Sequence, residues 1–316
     1  MSRRTIPVSL VLTTLNEART IGAFLDSVAS QSVLPREVVI CDGGSTDGTV
    51  ERIRERTEDA YDIVLIVEPG ANIAAGRNAA VAAARSEIIA VSDAGCVLDG
   101  EWLERITAPL LEDPSITVVG GGYGYVADTP FERAAAAAEI AVEDLDPERF
   151  LPSSRSIAFR RSAWRDAGGY PESLTFAGED TAFCLSLKRA GHTIHVETGA
   201  RVAWRPRATL RAYILQHYLY GVGDGESGSK KEFYGKIAVK TAVGTLLLGL
   251  AVFHHPLWLA AASALCALYA ARLHRLYRWA GRPLGTRAGA LCLIAVKELS
   301  VMSGFLRGSV RRLFGR

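Results

Sequence analysis

The first hundred residues alternate between short apolar runs and amphipathic stretches, and this alternation restricts the fold more than any other feature. Four runs have the length and β-branched content of strands: VSLVLTT, EVVICD, DIVLIVEP and EIIAVSD. Helical stretches follow the first three of them: TIGAFLDSVASQ, TVERIRERTED and NIAAGRNAAVAAAR. Strands this uniformly apolar are typical of a parallel sheet that helices cover on both faces. The pattern therefore predicts a doubly wound α/β fold with a mostly parallel sheet.

Polar side chains stand where three of these strands end. Residues 13–17 follow the first strand, Asp42 ends the second and Asp93 ends the fourth. Ligands of open parallel sheets bind outside the carboxyl ends of the strands, so we expect these side chains to line one crevice. Taken alone, the stretch CDGGSTDG is an ordinary turn in which a side chain such as Asp47 caps the next helix.

Composition and missing motifs narrow the class of protein. The net charge is only +2, from 36 basic and 34 acidic residues, so no nucleic-acid partner is expected. Neither G-x-G-x-x-G nor G-x-x-x-x-G-K-[ST] follows the first strand, which argues against a dinucleotide enzyme and a P-loop nucleotidase. The five cysteines are scattered without metal-ligand spacing, as in proteins of a reducing compartment. The N-terminus has no long apolar core, so a secretory signal is not expected.

The pattern changes from about Pro114 onward. ITVVGGGYGYV and SRSIAFRR are predicted strands that flank the alanine-rich helix FERAAAAAEIAVEDL. The loop AGGYPESLTFAGED leads into the helix DTAFCLSLKRAG, and HTIHVETGARVAWRP is a strand pair or one long strand. The second half therefore has mixed structure and does not repeat the first.

Two apolar segments, residues 237–253 and 257–271, are separated only by HHP near the C-terminus. Each is slightly shorter than the roughly 20 residues that cross a bilayer. Basic residues flank both outer ends, which predicts a membrane hairpin with both ends in the cytoplasm. A helical hairpin buried in the globule is the alternative. A third segment, AGALCLIAVKELSVMSGFL, contains Lys297 and Glu298 and is expected at the interface or packed on the hairpin.

Three blocks of the sequence resemble family 2 glycosyltransferases of the A-type fold. They are PVSLVLTTLNEARTIGAFLDSVASQSVLPREVVICDGGSTDGT, GANIAAGRNAAVAAARSEIIAVSDAGC and SIAFRRSAWRDAGGYPESLTFAGEDTAFCLSLKRAG. The resemblance spans residues 7–206 in order and spacing. It implies sugar transfer from a nucleotide diphosphate donor with inversion at the anomeric carbon. It also implies a catalytic domain over residues 1–230, with a nucleotide-binding half to about 113 and an acceptor half from 114, followed by a membrane-associated region over 231–316.

The resemblance assigns the catalytic base to Asp180 in the stretch AGED, with Glu179 orienting the acceptor or supporting the site. Such a base removes the proton of the acceptor hydroxyl while the nucleotide departs from the opposite face. Read from the residues alone, both acids simply favour the N-terminus of the following helix.

The nucleotide-binding residues that the resemblance implies are Thr13, Asn16, Glu17, Asp42, Arg77 and Asp93. Asp42 is expected to accept hydrogen bonds from the base, with Gly43 and Gly44 leaving room for it. The family pattern commonly has two acids here, whereas this chain has one. Arg77 is the only cation in an otherwise small and apolar helix, so burial would require a partner for it.

The metal site is incomplete by comparison with the family. The fourth strand usually ends in D-x-D, which holds Mg²⁺ or Mn²⁺, but here Asp93 is followed by Ala94 and Gly95. A divalent cation held by Asp93 is still expected, because Mg²⁺ keeps several waters and needs only one or two carboxylates. Positive charge from Arg77, Arg205 or Arg207 is the alternative.

The helix RAYILQHYLYGVGDG contains Gln216 but lacks the Q-x-x-R-W pattern of processive synthases. Its tyrosines, Tyr213, Tyr218 and Tyr220, would form an acceptor platform or pack in a core. The sequence thus predicts a non-processive, inverting transferase at the inner membrane, with its catalytic domain in the cytoplasm and a hydroxyl acceptor on a lipid-linked or cell-envelope glycan. A non-catalytic nucleotide-sugar-binding protein is the alternative, and a nucleotidyltransferase is disfavoured because TTLNEART is not its Gly-rich loop.

Overall fold

The computed structural model describes residues 3–56, 61–139, 146, 148, 150–175, 177–277 and 282–315. The chain forms two compact units. One comprises Met1–Val126 with Leu145–Arg205, and the other comprises Ala127–Asp144 with Pro206–Arg316. By contacts, residues 206–230 therefore belong with the C-terminal helices. The functional boundary at residue 230 stays a prediction.

The first unit contains the strands and six helices of the described residues. The strands are β1 (Thr5–Thr14), β2 (Leu34–Asp42), β3 (Asp62–Val67), β4 (Ile88–Val91), β5 (Cys96–Leu98), β6 (Val118–Tyr125), β7 (Ile157–Arg160) and β8 (Ile194–Trp204). The helices of both units, in chain order, are α1 (Ile21–Ala29), α2 (Thr49–Arg54), α3 (Ile73–Ala83), α4 (Trp102–Glu112), α5 (Pro130–Ala137), α6 (Arg161–Asp166), α7 (Glu179–Arg189), α8 (Leu210–Ser227), α9 (Lys231–Phe253), α10 (Leu257–Leu276) and α11 (Leu284–Phe314).

The eight strands form one sheet in the order β3-β2-β1-β4-β7-β6-β8-β5. The first four run parallel, which confirms the predicted doubly wound, mostly parallel sheet. Strand β7 is antiparallel to both β4 and β6. Because β7 runs the opposite way, the residues just before it arrive at the edge where β4 ends. This reversal brings a loop from the second half of the chain to the predicted crevice.

Alternate residues of β1 face the two layers of helices, as a buried strand requires. Leu10 and Leu12 belong to the core under α1 and α4, together with Phe24 and Trp102. Val11 belongs to the opposite core, under α3 and α7. Both faces of the strand are therefore apolar, which explains the uninterrupted hydrophobic run in the sequence.

Three elements of the structure were not predicted: β5, α4 and α6. The segment HTIHVETGARVAWRP is one long strand, β8, with a register shift against β6. Helix α2 ends at Arg54 and α5 at Ala137, short of the predicted bounds. The predicted C-terminal parts at 57–59 and 140–145 lie outside the described residues.

In the second unit, α8 and α11 run side by side in the same direction and touch through glycines. A Cβ added to Gly304 would lie 2.0 Å from the carbonyl oxygen of Tyr218, and one added to Gly308 would lie 2.0 Å from that of Val222. A Cβ added to Gly221 or Gly225 of α8 would lie 2.1 or 2.4 Å from a carbonyl oxygen of α11. Small residues four apart let helix backbones approach in this way, particularly in membrane proteins.

Three helices of the described residues are long and apolar enough to cross a membrane: Lys231–Phe253, Leu257–Arg275 and Leu284–Phe314. Helices α9 and α10 form a hairpin whose leucines, valines and Phe253 are largely exposed. A cluster of polar side chains takes one member from each of these helices: Lys240, Tyr269 and Glu298. The carboxylate of Glu298 accepts hydrogen bonds from Lys240 and from the Tyr269 hydroxyl, the latter at 2.8 Å. Pairing of this kind lowers the cost of placing charge among apolar helices. Through Glu298, α11 is attached to the hairpin, which agrees with the second of the two predicted alternatives, although the length and composition of α11 would also allow it to cross a membrane.

Candidate active site

Asp42 lies at the end of β2 and organises the loop that follows it. Its side chain is completely buried, and one oxygen accepts hydrogen bonds from the backbone N–H groups of Gly44 and Ser45 at 2.9 and 2.7 Å. The other oxygen accepts from the hydroxyls of Thr14 and Ser45 at 2.8 and 2.6 Å. Burial alone would raise the pKa of the Asp42 carboxyl, but these hydrogen bonds lower it below its ordinary value. Its visible role is to fix the loop, and a contact with a nucleotide base stays a prediction.

The loop after β1 interlocks with this one. Asn16 adopts a left-handed backbone, with φ of 57°, and its side-chain oxygen accepts from the N–H of Thr46 at 3.0 Å. The backbone N–H of Glu17 donates to Thr49 at 2.8 Å. Asp47 accepts from the N–H of Thr49 at 3.1 Å and from that of Ala18 at 3.1 Å. The N-cap of α2 is Gly48 and not Asp47, so Asp47 does not cap the helix as the turn interpretation expects. Its carboxylate instead accepts from the first residue of α2 and joins the two loops.

The two glycines after Asp42 are required by the neighbouring backbone. A Cβ at Gly43 would lie 3.0 Å from the carbonyl oxygen of Ala71. Gly44 has φ of +97°, and a Cβ there would lie 3.0 Å from Cα of Pro69. Both positions therefore accommodate the loop between β3 and α3, and space for a nucleotide base at these glycines stays a prediction.

Arg77 joins the strand side of the site to α7. Its side chain is 2% exposed, and its two terminal nitrogens donate to Asp93 at 2.7 Å and to Glu179 at 2.5 Å. Burial opposes the charge of Arg77, and the two carboxylates nonetheless raise its pKa. The expected partner of this buried cation is thus a pair of acids. Because its fork is engaged by both, Arg77 binds protein carboxylates here, and a contact with the nucleotide stays a prediction.

Glu179 and Asp180 open α7 behind Gly178, whose φ of 91° makes the turn into the helix. Glu179 is buried against Arg77. Burial raises the pKa of Glu179 and the neighbouring charge of Asp180 adds to the rise, while Arg77 opposes it. Asp180 is partly exposed, and one of its oxygens accepts from the N–H of Thr181 at 2.7 Å. Glu179 therefore holds Arg77 in place, and Asp180 is the more exposed acid of the pair.

Arg155 also borders Asp93, although the sequence analysis did not single it out. Its Nε lies 3.8 Å from Asp93, and its guanidinium carbon lies 4.4 Å from the centre of the Trp204 ring. The only signal in the sequence was an arginine at the start of a predicted strand, in SRSIAFRR. That signal has no meaning until β7 is known to run antiparallel beside β4.

The predicted residues form two groups. Arg77, Asp93, Glu179 and Asp180 lie together through direct contact or adjacency, and Asn16, Glu17 and Asp42 belong to the interlocked loops. Thr13 lies in β1 against α3, where its methyl carbon would be 2.9 Å from a Cβ added to Gly76. Arg205 and Arg207 lie at the surface.

The tyrosines of α8 pack in the second unit. Tyr213 is buried, with its ring centre 4.3 Å from that of His217 and 6.2 Å from that of Phe131. Tyr220 accepts from the amide of Gln216 at 2.8 Å, and Tyr218 accepts from Arg307 at 3.0 Å. For Tyr213, this packing agrees with the alternative of a core position.

The donors around Asp93 are a poor fit to a preformed divalent cation site. One oxygen of Asp93 accepts from Arg77, and Arg155 lies against the other. Within the described ranges, no three acids, histidines or cysteines cluster in a way that would hold a metal ion. A cation would thus have Asp93 as its protein carboxylate and would depend on a bound ligand for its remaining oxygens.

Sequence comparison places the chain among known proteins. Residues 9–166 match the family described as Glycosyl transferase family 2, and residues 88–297 match Glycosyl transferase family group 2. The Glycosyltransferase AglE of Haloferax volcanii is 28% identical over 199 residues, which cover 60% of this chain and 64% of that protein. The Succinoglycan biosynthesis protein ExoA of Rhizobium meliloti is 28% identical over 225 residues, or 68% of each chain. The match thus spans about two thirds of the length of these relatives.

Solved structures share the fold. A mannosyltransferase from Pyrobaculum calidifontis, in complex with GDP-Man and Mn²⁺, superposes with a TM-score of 0.57 at 19% identity, covering 98% of this chain and 88% of that one. Residues 1–349 of S. aureus TarS, in complex with UDP, give a TM-score of 0.51 at 20% identity, with 93% and 91% covered. At these identities the likeness establishes the architecture, and it agrees with the mixed, mostly parallel sheet described above.

Proposed function

The chain belongs to glycosyl transferase family 2, and on this premise we propose that it transfers a sugar from a nucleotide diphosphate donor to a hydroxyl acceptor, with inversion and without processivity. The observation that carries the proposal is the cluster of Asp93, Arg77 and Glu179 with Asp180 beside it, at the carboxyl end of β4. Parallel sheets bind their ligands at this edge.

An inverting transfer is a single in-line displacement, so it needs a base on the acceptor side. Asp180 is proposed for this role because it is partly exposed, whereas the neighbouring Glu179 is buried against Arg77. Asp180 takes the proton of the acceptor hydroxyl while the oxygen of that hydroxyl attacks the anomeric carbon. The bond from that carbon to the diphosphate breaks on the opposite face, and the nucleotide diphosphate leaves.

Glu179 and Arg77 are proposed to hold this arrangement in place. The guanidinium bridges α7 to Asp93 at the end of β4, so the base and the strand end keep a fixed separation. Geometry held in this way supplies much of the rate of a displacement reaction. Glu179 is thus a positioning residue.

The donor is proposed to bind at the interlocked loops that contain Thr13, Asn16, Glu17 and Asp42. Support for a nucleotide diphosphate comes from the two structural neighbours, whose complexes contain GDP-Man and UDP. Asp42 fixes this loop through four hydrogen bonds, so it would act on the nucleotide partly by shaping the surface that receives it.

A divalent cation, Mg²⁺ or Mn²⁺, is proposed as part of the donor complex that reacts. Mn²⁺ accompanies GDP-Man in one structural neighbour. In this chain Gly95 replaces the second acid, so Asp93 would be the carboxylate that holds the cation, whose charge would offset that of the diphosphate.

The membrane hairpin is proposed to attach the chain to the inner membrane, with the catalytic domain in the cytoplasm. Its support is the exposed apolar surface of α9 and α10 and the basic residues at their outer flanks. A lipid-linked or cell-envelope glycan acceptor fits such an attachment, and one relative is named for succinoglycan biosynthesis. Membranes that contain the full chain should retain it through 1 M salt, an order-of-magnitude excess over physiological ionic strength. Release by salt would instead mean an electrostatic attachment.

The proposed activity is tested with the purified full chain and a panel of uridine, guanosine, thymidine and adenosine diphosphate sugars. Release of the nucleoside diphosphate, dependent on an added acceptor extract, is the expected result for at least one donor. A chain that binds a donor but releases no nucleotide with any acceptor would be a non-catalytic nucleotide-sugar-binding protein.

A further inference from the structure

We infer that Arg155 is a ligand of the donor's diphosphate. Gly95 stands where the family pattern has the second acid of D-x-D, and Arg155 would supply positive charge beside the remaining acid, Asp93. The inference rests on the proposed function, and it adds a residue that the sequence motifs do not mark. Its grounds are the position, the support and the accessibility of this one side chain.

The position follows from strand pairing. In the antiparallel ladder of β4 and β7, Val91 pairs with Ile157 and Ala90 with Ala158. Continuing this register by two residues sets Asp93 opposite Arg155, and the 3.8 Å separation between Nε and the Asp93 carboxylate agrees. Arg155 thus stands at the carboxyl end of β4, where ligands of such sheets bind.

The backbone beside Arg155 is held on several sides. The Ser156 hydroxyl accepts from the indole N–H of Trp102 at 2.8 Å and donates to the carbonyl of Ala200 at 3.1 Å. The carbonyl of Ser156 accepts from the N–H of Gly121 at 2.9 Å. These buried contacts tie the start of β7 to α4, β6 and β8, so the side chain of Arg155 leaves from a fixed point.

Trp204 supports the guanidinium itself. The guanidinium carbon lies 4.4 Å from the centre of the indole ring, whose other neighbour is Tyr125 at 5.4 Å. A guanidinium held over an aromatic face by cation–π attraction has less freedom to move, and such preorganisation suits recognition of phosphate. Less side-chain entropy is lost when the ligand binds.

The two arginines beside Asp93 differ in what a ligand can reach. The side chain of Arg77 is 2% exposed and holds two carboxylates at 2.5 and 2.7 Å. That of Arg155 is 23% exposed, and its approach to Asp93 is at the longer distance of 3.8 Å. A Cβ at Gly95 would meet nothing within 4 Å apart from its chain neighbours, so the space beside Gly95, two residues after Asp93, is open. Of the two arginines, Arg155 is therefore the one that a diphosphate at this strand end could reach.

The test is diphosphate preference measured without metal. The full chain in detergent is titrated with UDP, UMP, GDP and GMP in excess EDTA, and the variants are Arg155→Met, Arg155→Lys and the surface control Arg36→Met. We expect the wild type to bind the diphosphate of its preferred base more tightly than the monophosphate. Arg155→Met should reduce diphosphate affinity by about 10- to 100-fold, the range for charge-assisted hydrogen bonds, with a smaller change for the monophosphate. The diphosphate affinity of Arg155→Lys should lie between those of the wild type and Arg155→Met, and that of Arg36→Met should match the wild type.

A second variant guards against loss of folding. Trp204→Phe keeps an aromatic face under the guanidinium and should weaken diphosphate binding by only a few-fold. An unchanged ratio of diphosphate to monophosphate affinity in folded Arg155→Met overturns the inference while leaving the proposed transfer intact. A wild-type chain that binds neither these four nucleotides nor TDP or ADP, with Mn²⁺ or without it, overturns both.

Discussion

Replacing Arg77 by Met should leave two acids facing each other across the site without their shared cation. Arg77 is 2% exposed, and Glu179, its partner at 2.5 Å, is 8% exposed. Breaking a buried ion pair by removing one partner costs about 3–5 kcal/mol, because the remaining charge stays buried. At about 2–4 °C per kcal/mol for a unit of this size, the melting temperature should fall by about 6–20 °C. Arg105→Met is the control, since its pair with Glu101 is exposed and screened by solvent, so its loss should hardly change the melting temperature.

The pH dependence of the stability lost in Arg77→Met identifies the cause of that loss. Burial raises the pKa of Glu179, and removing Arg77 takes away the cation that opposes the rise. A carboxyl whose folded pKa lies above its unfolded value binds more protons in the folded state, so stability falls as the pH rises through that window. The loss of stability in Arg77→Met should therefore be smaller at pH 5.5 than at pH 7.5. These two values lie roughly one and three units above the ordinary pKa of a glutamate side chain.

Scanning calorimetry or fluorimetry of the full chain at both pH values measures the deficit. The double variant Arg77→Met/Glu179→Gln removes the stranded charge and should recover part of the lost stability, since residues in direct contact are not additive. A deficit that does not change with pH, together with no recovery in the double variant, would refute the ion-pair account and leave only lost packing.

Three further changes test other parts of the structure. Asp42→Ala removes the acceptor of four loop hydrogen bonds and should weaken nucleotide affinity by roughly 10-fold or more; an unchanged calorimetric affinity would restore the simple turn interpretation. EDTA should suppress sugar transfer and added Mn²⁺ should restore it. The variant Gly95→Asp, whose side chain has room, should lower the Mn²⁺ concentration needed for activity. Full activity in EDTA would contradict the cation proposal. Gly304→Val should disrupt the contact of α8 with α11 and lower the free energy of unfolding by about 1–3 kcal/mol or more. Gly249→Val is the control, because Gly249 has open space around it. Equal melting temperatures of the two variants would contradict the close-packing account.

Much of the first unit follows from local patterns. The uninterrupted apolar runs require a sheet covered on both faces, and the family prediction made from three sequence blocks is confirmed by the match over residues 9–166. Short elements such as β5 escaped prediction because three residues carry too little periodicity to separate strand from loop.

The functional partners of the site residues depend on pairings that the sequence does not contain. Arg77 predictably needed a partner, but the link to Glu179 joins residues 102 positions apart, and only the folded α3 and α7 reveal it. Arg155 reaches Asp93 because β7 inserts antiparallel between β4 and β6. The joining of α8 to the C-terminal helices was missed for a similar reason: the glycines that permit it lie on two helices far apart in the chain.

The central claim is that Asp180 is the base of a sugar transfer carried out by this chain. Asp180→Asn changes one partly exposed oxygen and preserves the acceptor of the hydrogen bond from Thr181. Transfer by this variant should fall by about 10²–10⁴-fold, while its affinity for the nucleoside diphosphate should stay within a few-fold of the wild type. Turnover near the wild-type rate in Asp180→Asn, measured beside Glu179→Gln for comparison, would contradict the account.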